Sequence, residues 1–405
     1  MIKFELRRNL IYPLQYFIWT FLRDILTMFI KHLFEFTDSS EYIPFMFIGE
    51  FFAGGIIYLY LKKIMPTKSE KKDQYFMAIK LINNEEDDND YFVPIDNKIK
   101  IIILIFFAAF FDSITSYLLA ELTWKFKGLS ASLGMRLYGF ATISASFTYV
   151  YALKLPVYRH HKFSLWIIGF CLIVIIVSEY FFQTINLSMT YGKLSMAFVY
   201  ILFSQIFLSC LDSIEKYLFE YDYMNPFVVI MYEGLFGFLL NLFSLIMPNN
   251  LKDIKRIYYD KNKNFALFIF LLIVYIILSG LKNLYRAVSI KIYSPMTKML
   301  TEYFLNPLYF PYYYYVLNDF RNKDDNIYIE YITLNFIIAF IISFFGFVYN
   351  EFIILFCCGL EYDTHYQISR RMEMENNFQM ELLNFDDELD NNTANDNNYV
   401  ITKND

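Results

Sequence analysis

The chain has 405 residues, of which 57% are hydrophobic and 19% are charged, and its formal net charge is −6. The apolar residues are gathered into blocks, and a soluble protein with so many blocks would have too little polar surface to stay in water. Much of the negative charge lies in the C-terminal tail, so the charge balance does not indicate a nucleic acid or any other partner.

Ten segments of the chain are each apolar enough to cross the hydrocarbon core of a bilayer, which requires about 20 residues. Polar breaks such as TDSSE and NDFRNKDDN separate these segments. The sequence therefore predicts an all-α polytopic membrane protein with ten transmembrane helices. The predicted spans are 11–34, 43–62, 99–120, 131–153, 164–183, 194–215, 226–247, 264–284, 295–317 and 329–350.

The basic residues near the span ends predict the orientation of the chain, because Lys and Arg are enriched in cytosolic loops. Five groups of them, including Arg286 and Lys291 after span eight, fall on one side when the N terminus is cytosolic. The basic loop after span seven falls on the other side. With ten spans, both termini are then cytosolic. We expect a multi-pass protein of an endomembrane (Golgi, endoplasmic reticulum, or vacuole or lysosome) rather than of the plasma membrane.

The two halves of the chain share a pattern of charged residues. In spans two and seven a glutamate, Glu50 or Glu233, precedes a glycine by four positions, which places both residues on one face of a helix. Spans four and nine each place a methionine beside a base, Arg136 or Lys298. These matches fall in the second and fourth spans of two five-span halves, and they predict an internal repeat.

Because five is an odd number of spans, the second half would enter the membrane from the opposite side. Such inverted repeats are found in many secondary transporters. The predicted repeats are residues 1–185, which include a cytosolic loop at 65–97, and residues 186–352. Residues 353–405 are predicted to form a disordered acidic cytosolic tail, because they lack the apolar content to fold alone.

Three segments of the chain resemble spans of the drug/metabolite transporter superfamily. They are FFDSITSYLLAELTWKFKGLSASLGMRLYG for spans three and four, CLDSIEKYLFEYDYMNPFVVIMYEGLFGFLL for spans six and seven, and LKNLYRAVSIKIYSPMTKML for spans eight and nine. The resemblance is closest to the F branch of the solute carrier family of nucleotide-sugar-transporter-like (EamA-like) proteins. It implies ten spans, cytosolic termini and solute exchange or uptake. The family has Met-Leu-Arg-Gly where this chain has Met-Arg-Leu-Tyr-Gly, which shifts Arg136 by about 100° around a helix.

Charged side chains within the spans form the candidate site, because such a residue costs about 2.5–3.5 kcal/mol at the bilayer centre and usually faces the bundle interior. Arg136 and Lys298 are expected to bind an anionic group of a solute, whereas Glu50 and Glu233 equally suit a cation or a proton-coupled solute. Lys298 could instead pair with Glu302, four residues away. The predicted substrate-binding residues are Arg136, Lys298, Glu233, Glu50, Asp112 and Asn283, the last of them through the resemblance.

The sequence favours a secondary transporter of a small organic solute that works by alternating access, with an anionic or nucleotide-linked solute as one option. The alternative is a non-transporting multi-pass scaffold or receptor. We expect no enzyme, metal or cofactor, because the motifs of hydrolases and phosphate-binding loops do not occur. His160 and His161 are interpreted as part of a basic loop beside the membrane. The expected partners are the solute and the lipid bilayer, and a homodimer is a possible assembly.

Overall fold

In a computed structural model of the protein, most of the described residues are helical. The description covers residues 2–4, 11–34, 42–64, 98–125, 139–152, 157–186, 191–222, 224–246, 258–259, 265–292, 298, 325–364, 366–372 and 374–375. The helices are α1 (Ile11–Phe34), α2 (Ile43–Ile64), α3 (Lys98–Lys125), α4 (Gly139–Ala152), α5 (Arg159–Asn186), α6 (Tyr191–Glu220), α7 (Pro226–Ile246), α8 (Phe265–Ile292) and α9 (Asp325–Tyr349). Two short strands are β1 (Ile2–Phe4) and β2 (Ile353–Leu355).

Five of the described helices, α2, α3, α5, α6 and α8, are long and apolar enough to cross a membrane. Shorter apolar stretches lie in α7 (Pro226–Leu242) and in α9 (Phe336–Tyr349). Helices α1 to α8 overlap the first eight predicted spans and α9 overlaps the tenth. The ninth predicted span, apart from Lys298, and the predicted loop 65–97 lie outside the described residues. The helical fold class is confirmed, and these apolar helices fit an integral membrane protein.

The helices carry large apolar side chains on the outside and polar side chains on the inside. Phe52, Ile56 and Leu59 of α2 are each more than half exposed, and so is Trp166 of α5, whereas Glu50 of α2 is completely buried. A soluble protein buries its large apolar residues and leaves its charges in water. The opposite arrangement is the one that a surrounding of lipid tails favours.

Several helices extend beyond the predicted spans, and in α8 and α5 the extension changes the interpretation of charged residues. α8 continues to Ile292, and Arg286 is buried within it. The interpretation of Arg286 as a loop residue that reports the orientation was therefore wrong, because carboxyl groups of other helices surround this base. α5 begins at Arg159, so His160 and His161 lie in its first turn and not in a loop.

The start of α7 is set by a local capping interaction. The backbone N–H of Phe227 donates a hydrogen bond to Asn225 Oδ1 at 2.9 Å, which satisfies one of the free N–H groups at the helix start. Pro226 takes the first helical position, where its missing N–H group is not needed. This cap fixes the start of the helix that carries Glu233.

The helices pack in pairs around α2 and α3. α2 packs against α7 and α8, and α1 also packs against α8. α3 packs against α6 and α7, while α4 packs against α6 and α5 packs against α9. The apolar contacts fall into several clusters, one between α1, α2 and α8 and another between α5, α6 and α9. Charged side chains meet where α2, α3, α6, α7 and α8 come together.

α2 and α7 approach each other closely because glycines face the contact from both sides. A Cβ atom at Gly234 would lie 2.7 Å from the carbonyl oxygen of Phe47 and 2.9 Å from Cβ of Glu50. A Cβ atom at Gly54 would lie 2.7 Å from the carbonyl oxygen of Phe227. All three distances are shorter than atoms of this kind tolerate, so a larger residue would force the two helix backbones apart. Small residues at helix contacts are the usual means of close packing in membranes.

The two strands join the beginning of the described chain to its end. β1 and β2 are antiparallel, with Ile2 opposite Leu355, so the residues before α1 and those after α9 lie on the same side of the bundle. The predicted disordered tail, which began at residue 353, therefore starts too early, because Ile353 and Ile354 are buried apolar residues of a paired strand. Residues 376–405 lie outside the described part of the chain.

Replacing Gly234 with alanine is expected to destabilise the protein by about 1–3 kcal/mol, because the added Cβ atom overpacks the contact between α2 and α7. Gly55→Ala is the matched control for the change in helix propensity, since a Cβ atom there would meet only side-chain atoms of Met231, at 3.6 and 3.8 Å. Thermal unfolding of the purified protein in detergent measures both variants. Equal melting temperatures would show that the two helices do not pack through Gly234.

Tags at the two termini are expected to lie on the same side of the membrane, because the pairing of β1 with β2 brings both ends of the bundle together. Protease added to sealed microsomes should therefore cut both tags or neither tag. A loop tag near residue 261, on the predicted opposite side, serves as the control for vesicle orientation. Cleavage of only one terminal tag would contradict the strand pairing.

Candidate functional site

Five helices each contribute one ionisable side chain to a single buried group, which we call the charge cluster. All three glutamates of this group are completely buried, and the other two members are at most 7% exposed. Charged residues are almost never buried to this extent unless they are paired. The members of the charge cluster are Glu50 of α2, Asp112 of α3, Glu215 of α6, Glu233 of α7 and Arg286 of α8.

Arg286 makes the central contacts of the charge cluster. Its Nη2 donates a hydrogen bond to Glu215 Oε1 at 2.8 Å and another to Glu233 Oε1 at 3.1 Å. Its Nη1 lies 3.7 Å from Asp112 Oδ2, which is an ion-pair distance but is too long for a hydrogen bond. The planar guanidinium, with donors pointing in several directions, suits such a role better than a lysine ammonium would. One side chain thus joins α8 to α3, α6 and α7.

Glu50 reaches the charge cluster through a neutral partner. Its Oε1 accepts a hydrogen bond from Asn283 Nδ2, and Asn283 lies three residues before Arg286, on the same face of α8. Carboxyl oxygens of Glu50, Asp112 and Glu233 come within 4.8 Å of one another. α8 therefore presents an amide and a guanidinium to carboxyl groups from α2, α3 and α7.

The charge cluster contains more acid than base. Four carboxyl groups face one guanidinium, so an excess of three negative charges would remain if all five groups were ionised. Like charges at such distances repel strongly where water is excluded. The arrangement is therefore able to take up positive charge. Among the described residues of the charge cluster, the buried carboxyl oxygens without a hydrogen-bond partner are Glu50 Oε2, Asp112 Oδ2, Glu215 Oε2 and Glu233 Oε2.

A second buried ion pair lies beside the charge cluster. Lys298 Nζ donates hydrogen bonds to both carboxylate oxygens of Asp212, each at 2.9 Å. Asp212 lies three residues before Glu215, on the same face of α6. Lys298, which we expected to bind an anionic solute group, therefore already has a counter-charge. Arg136 and Glu302 lie outside the described residues, so the contacts predicted for them stay predictions.

The structure brings most of the predicted site residues together, although their role in substrate binding stays a prediction. Sequence reasoning does not single out Glu215 and Arg286, because both lie near a span end, where a long charged side chain can reach the headgroups. A local signal does exist, since Glu215 follows Asp212 by three positions and Arg286 follows Asn283 by three positions. The predicted residues that meet in or beside the charge cluster are Glu50, Asp112, Glu233 and Asn283.

A separate polar group joins the start of α5 to the end of α9. His160 is 2% exposed, and its Nε2 lies 3.4 Å from Glu351 Oε1. His161 Nδ1 accepts a hydrogen bond from the backbone N–H of Tyr158 at 3.3 Å, and its ring stacks on Tyr349 with the ring centroids 4.4 Å apart. Histidine and glutamate are residues that bind zinc, but one ring nitrogen of His161 is already engaged. We interpret this group as a contact that holds the two helices together.

Replacing Lys298 with methionine is expected to destabilise the protein by about 3–5 kcal/mol, because Asp212 would keep a buried charge without its partner. The double variant Lys298→Met with Asp212→Asn removes both charges and should recover much of the loss. Thermal unfolding in detergent measures both. Lys100→Gln is the control, because Lys100 is 41% exposed in its ion pair with Asp222 and such pairs contribute about 0–1 kcal/mol. A Lys298→Met variant as stable as the wild type would contradict the structural role of the ion pair and would favour the predicted role of Lys298 in solute binding.

Comparison of the chain with protein-family models and with curated proteins gave no match. The resemblance to drug/metabolite transporters therefore stays a prediction from the quoted motifs, and the function has to be argued from the charge cluster and the helices that build it.

Proposed function

We propose that the protein is a secondary transporter that carries a small organic solute across a membrane by alternating access. The observation that carries this proposal is the charge cluster, in which charged groups from five helices meet in the interior of an apolar bundle. Ionisable residues inside membrane segments are costly, and they mark the pathways of solutes and ions. Stability alone does not require them, because well-packed apolar residues can replace buried ion pairs without loss.

The packing of the helices supports two inverted repeats, 1–185 and 186–352. In such repeats each of the first five spans corresponds to the span five places later, so α1, α2 and α3 correspond to α6, α7 and α8, and α5 corresponds to α9. The α1–α8 pair then corresponds to the α6–α3 pair, and the α2–α8 pair to the α7–α3 pair. All four pairs are packed, and the packed pairs α2–α7 and α5–α9 map onto themselves. Glu50 and Glu233, from corresponding helices, both belong to the charge cluster. A site at the interface of two such repeats is the usual arrangement in carriers of this kind.

The contacts of the charge cluster differ within and between the proposed repeats. Within the second repeat, Arg286 makes hydrogen bonds of 2.8 Å to Glu215 and 3.1 Å to Glu233. Between the repeats, Arg286 lies 3.7 Å from Asp112, and α8 contacts Glu50 through a neutral amide. A rocking motion of one repeat against the other would break the weaker contacts and keep the stronger ones. The solute would then bind between Arg286 and the carboxyl groups of Asp112 and Glu50.

The described bases give little support to an anionic solute. Lys298 is held by Asp212, and Arg286 faces four carboxyl groups. The excess charge of the cluster is negative, so a neutral or positively charged solute, or a solute carried together with protons, fits it better. An anionic or nucleotide-linked solute would depend on Arg136, which lies outside the described residues.

The proposal includes an endomembrane location with both termini in the cytosol. The pairing of β1 with β2 supports termini on one side of the membrane. Arg286 no longer counts as a residue that flanks a span, but four other groups of basic residues still favour a cytosolic N terminus.

Solute exchange in proteoliposomes tests the proposed function. Cationic, neutral and anionic solutes are first screened for thermal stabilisation of the purified protein, since a ligand that binds only the folded state raises its stability. A transporter should then exchange the labelled form of a stabilising solute across the vesicle membrane. Glu233→Gln should slow this exchange by about tenfold or more, because it changes the charge at the site. Glu375→Gln is the control, since Glu375 is exposed beyond α9.

Two results would contradict the proposal. Stabilisation by a solute without any exchange would identify a receptor or a scaffold, which is the alternative function. Exchange that Glu233→Gln leaves unchanged would separate transport from the charge cluster.

A further inference from the structure

We infer that the charge cluster holds an exchangeable proton on Glu50, and that this proton couples the movement of the solute to a proton gradient. The coupling rests on the proposed function, whereas the position of the proton follows from the contacts of the described residues alone.

Among the described residues, Glu50 is the carboxyl group of the charge cluster that has no base within ion-pair distance. Glu215 and Glu233 accept hydrogen bonds from Arg286, and Asp112 forms an ion pair with it. Glu50 accepts a hydrogen bond from the neutral amide of its α8 neighbour, and its Oε2 has no hydrogen-bond partner among the described residues. An ionised carboxylate without a partner is very costly where water is excluded. The neutral acid, with a proton on Oε2, is therefore the favoured form.

The surroundings of Glu50 add to this preference. Three of the four nearest charged groups are acidic, and each contributes repulsion that the single base only partly offsets. On α1, Arg23 and Asp24 form an ion pair with each other, so that helix supplies no net charge through them. The charged groups around Glu50, helix by helix, are Asp112 on α3, Glu215 on α6, Glu233 on α7 and Arg286 on α8.

A proton fits the charge cluster better than a larger cation does. A metal ion would need several oxygen ligands at about 2.0–2.6 Å. Two of the carboxyl groups that could bind it, those of Asp112 and Glu233, already contact Arg286, and the positive charge of Arg286 would repel the ion. A proton requires no additional space. It also supplies positive charge where the excess of carboxyl groups requires it.

The proton can change the contacts between the two proposed repeats. With Glu50 protonated, α2 and α8 are joined in the charge cluster by a neutral hydrogen bond, which can be broken without separating opposite charges. With Glu50 ionised, its carboxylate attracts Arg286, and a charge-assisted hydrogen bond between them becomes favourable. Release of the proton would therefore strengthen the contact between α2 and α8. A change of partner of this kind is what coupling to a proton gradient requires.

Matched glutamine variants test the proton on Glu50. Glutamine has the shape of a protonated glutamate but cannot ionise, so Glu50→Gln should melt close to the wild type. Glu215→Gln removes a charge that Arg286 contacts, and it should melt clearly lower, although both glutamates are completely buried. The stability of the wild type should also fall as pH rises above about 5, because the folded state keeps a proton that the unfolded chain releases. Glu50→Gln should show a weaker fall.

Infrared spectroscopy of the full-length protein in detergent gives the direct readout. At about pH 7, exposed carboxyl groups with ordinary pKa values near 4 are ionised, so the carbonyl stretch of a protonated carboxyl group reports buried acids. We expect this band in the wild type. Glu50→Gln should remove the area of one carboxyl group, and Glu375→Gln should leave the band unchanged.

Several results would overturn the inference, and they differ from those that bear on the proposed function. A wild type without the band, a band that Glu50→Gln leaves unchanged, or a Glu50→Gln variant that does not fold would each remove the proton from Glu50. A band that appears only after sodium or magnesium is removed would assign the site to a metal cation. Solute exchange that an imposed pH gradient does not accelerate would overturn the coupling. Absence of any solute exchange would contradict the proposed transport function. The infrared result would then still test whether Glu50 carries a proton.

Discussion

The exclusion of water from Arg286 is the constraint on which the rest of the structure depends. A guanidinium among apolar helices cannot be solvated, so its charge must be balanced by side chains, and the carboxylates that accept hydrogen bonds from its Nη2 come from other helices. An exposed pair of the same kind would contribute about 0–1 kcal/mol. Here the removal of one partner leaves a buried charge, which costs about 3–5 kcal/mol. The ion pairs therefore fix the relative positions of α3, α6, α7 and α8.

The same constraint explains the glycines. Glu50 of α2 and Glu233 of α7 can reach Asn283 and Arg286 on one face of α8 only if the helix backbones lie close together. Gly54 and Gly234 allow this approach because neither has a Cβ atom in the contact. In α2, Glu50 and Gly54 are spaced as neighbours on one face, whereas in α7 Gly234 directly follows Glu233. The close packing and the charge cluster are thus two consequences of one arrangement, and this arrangement leaves an excess of acid that a proton reduces by one charge.

Much of the helical fold could be predicted from the sequence, because the length of an apolar block is a local property. The four-residue spacing at Glu50 and Glu233 also pointed to the two helices that meet. The role of Arg286 could not be predicted, because its partners are separated from it by 71 and 53 residues along the chain. Asn283 and Glu50 are 233 residues apart. A base near the end of an apolar block is locally indistinguishable from one that reaches the headgroups, and only the packing of the helices separates the two cases.

The central claim is that charged groups from separate helices meet in one buried cluster, and a double-mutant cycle between Arg286 and Glu215 tests it most directly. The free energy of unfolding in detergent is measured for the wild type, Arg286→Gln, Glu215→Gln and the double variant. Direct contact between the two side chains predicts a coupling energy of about 1–3 kcal/mol. Losses that add to within about 0.5 kcal/mol would show that Arg286 and Glu215 do not interact, and would contradict the charge cluster.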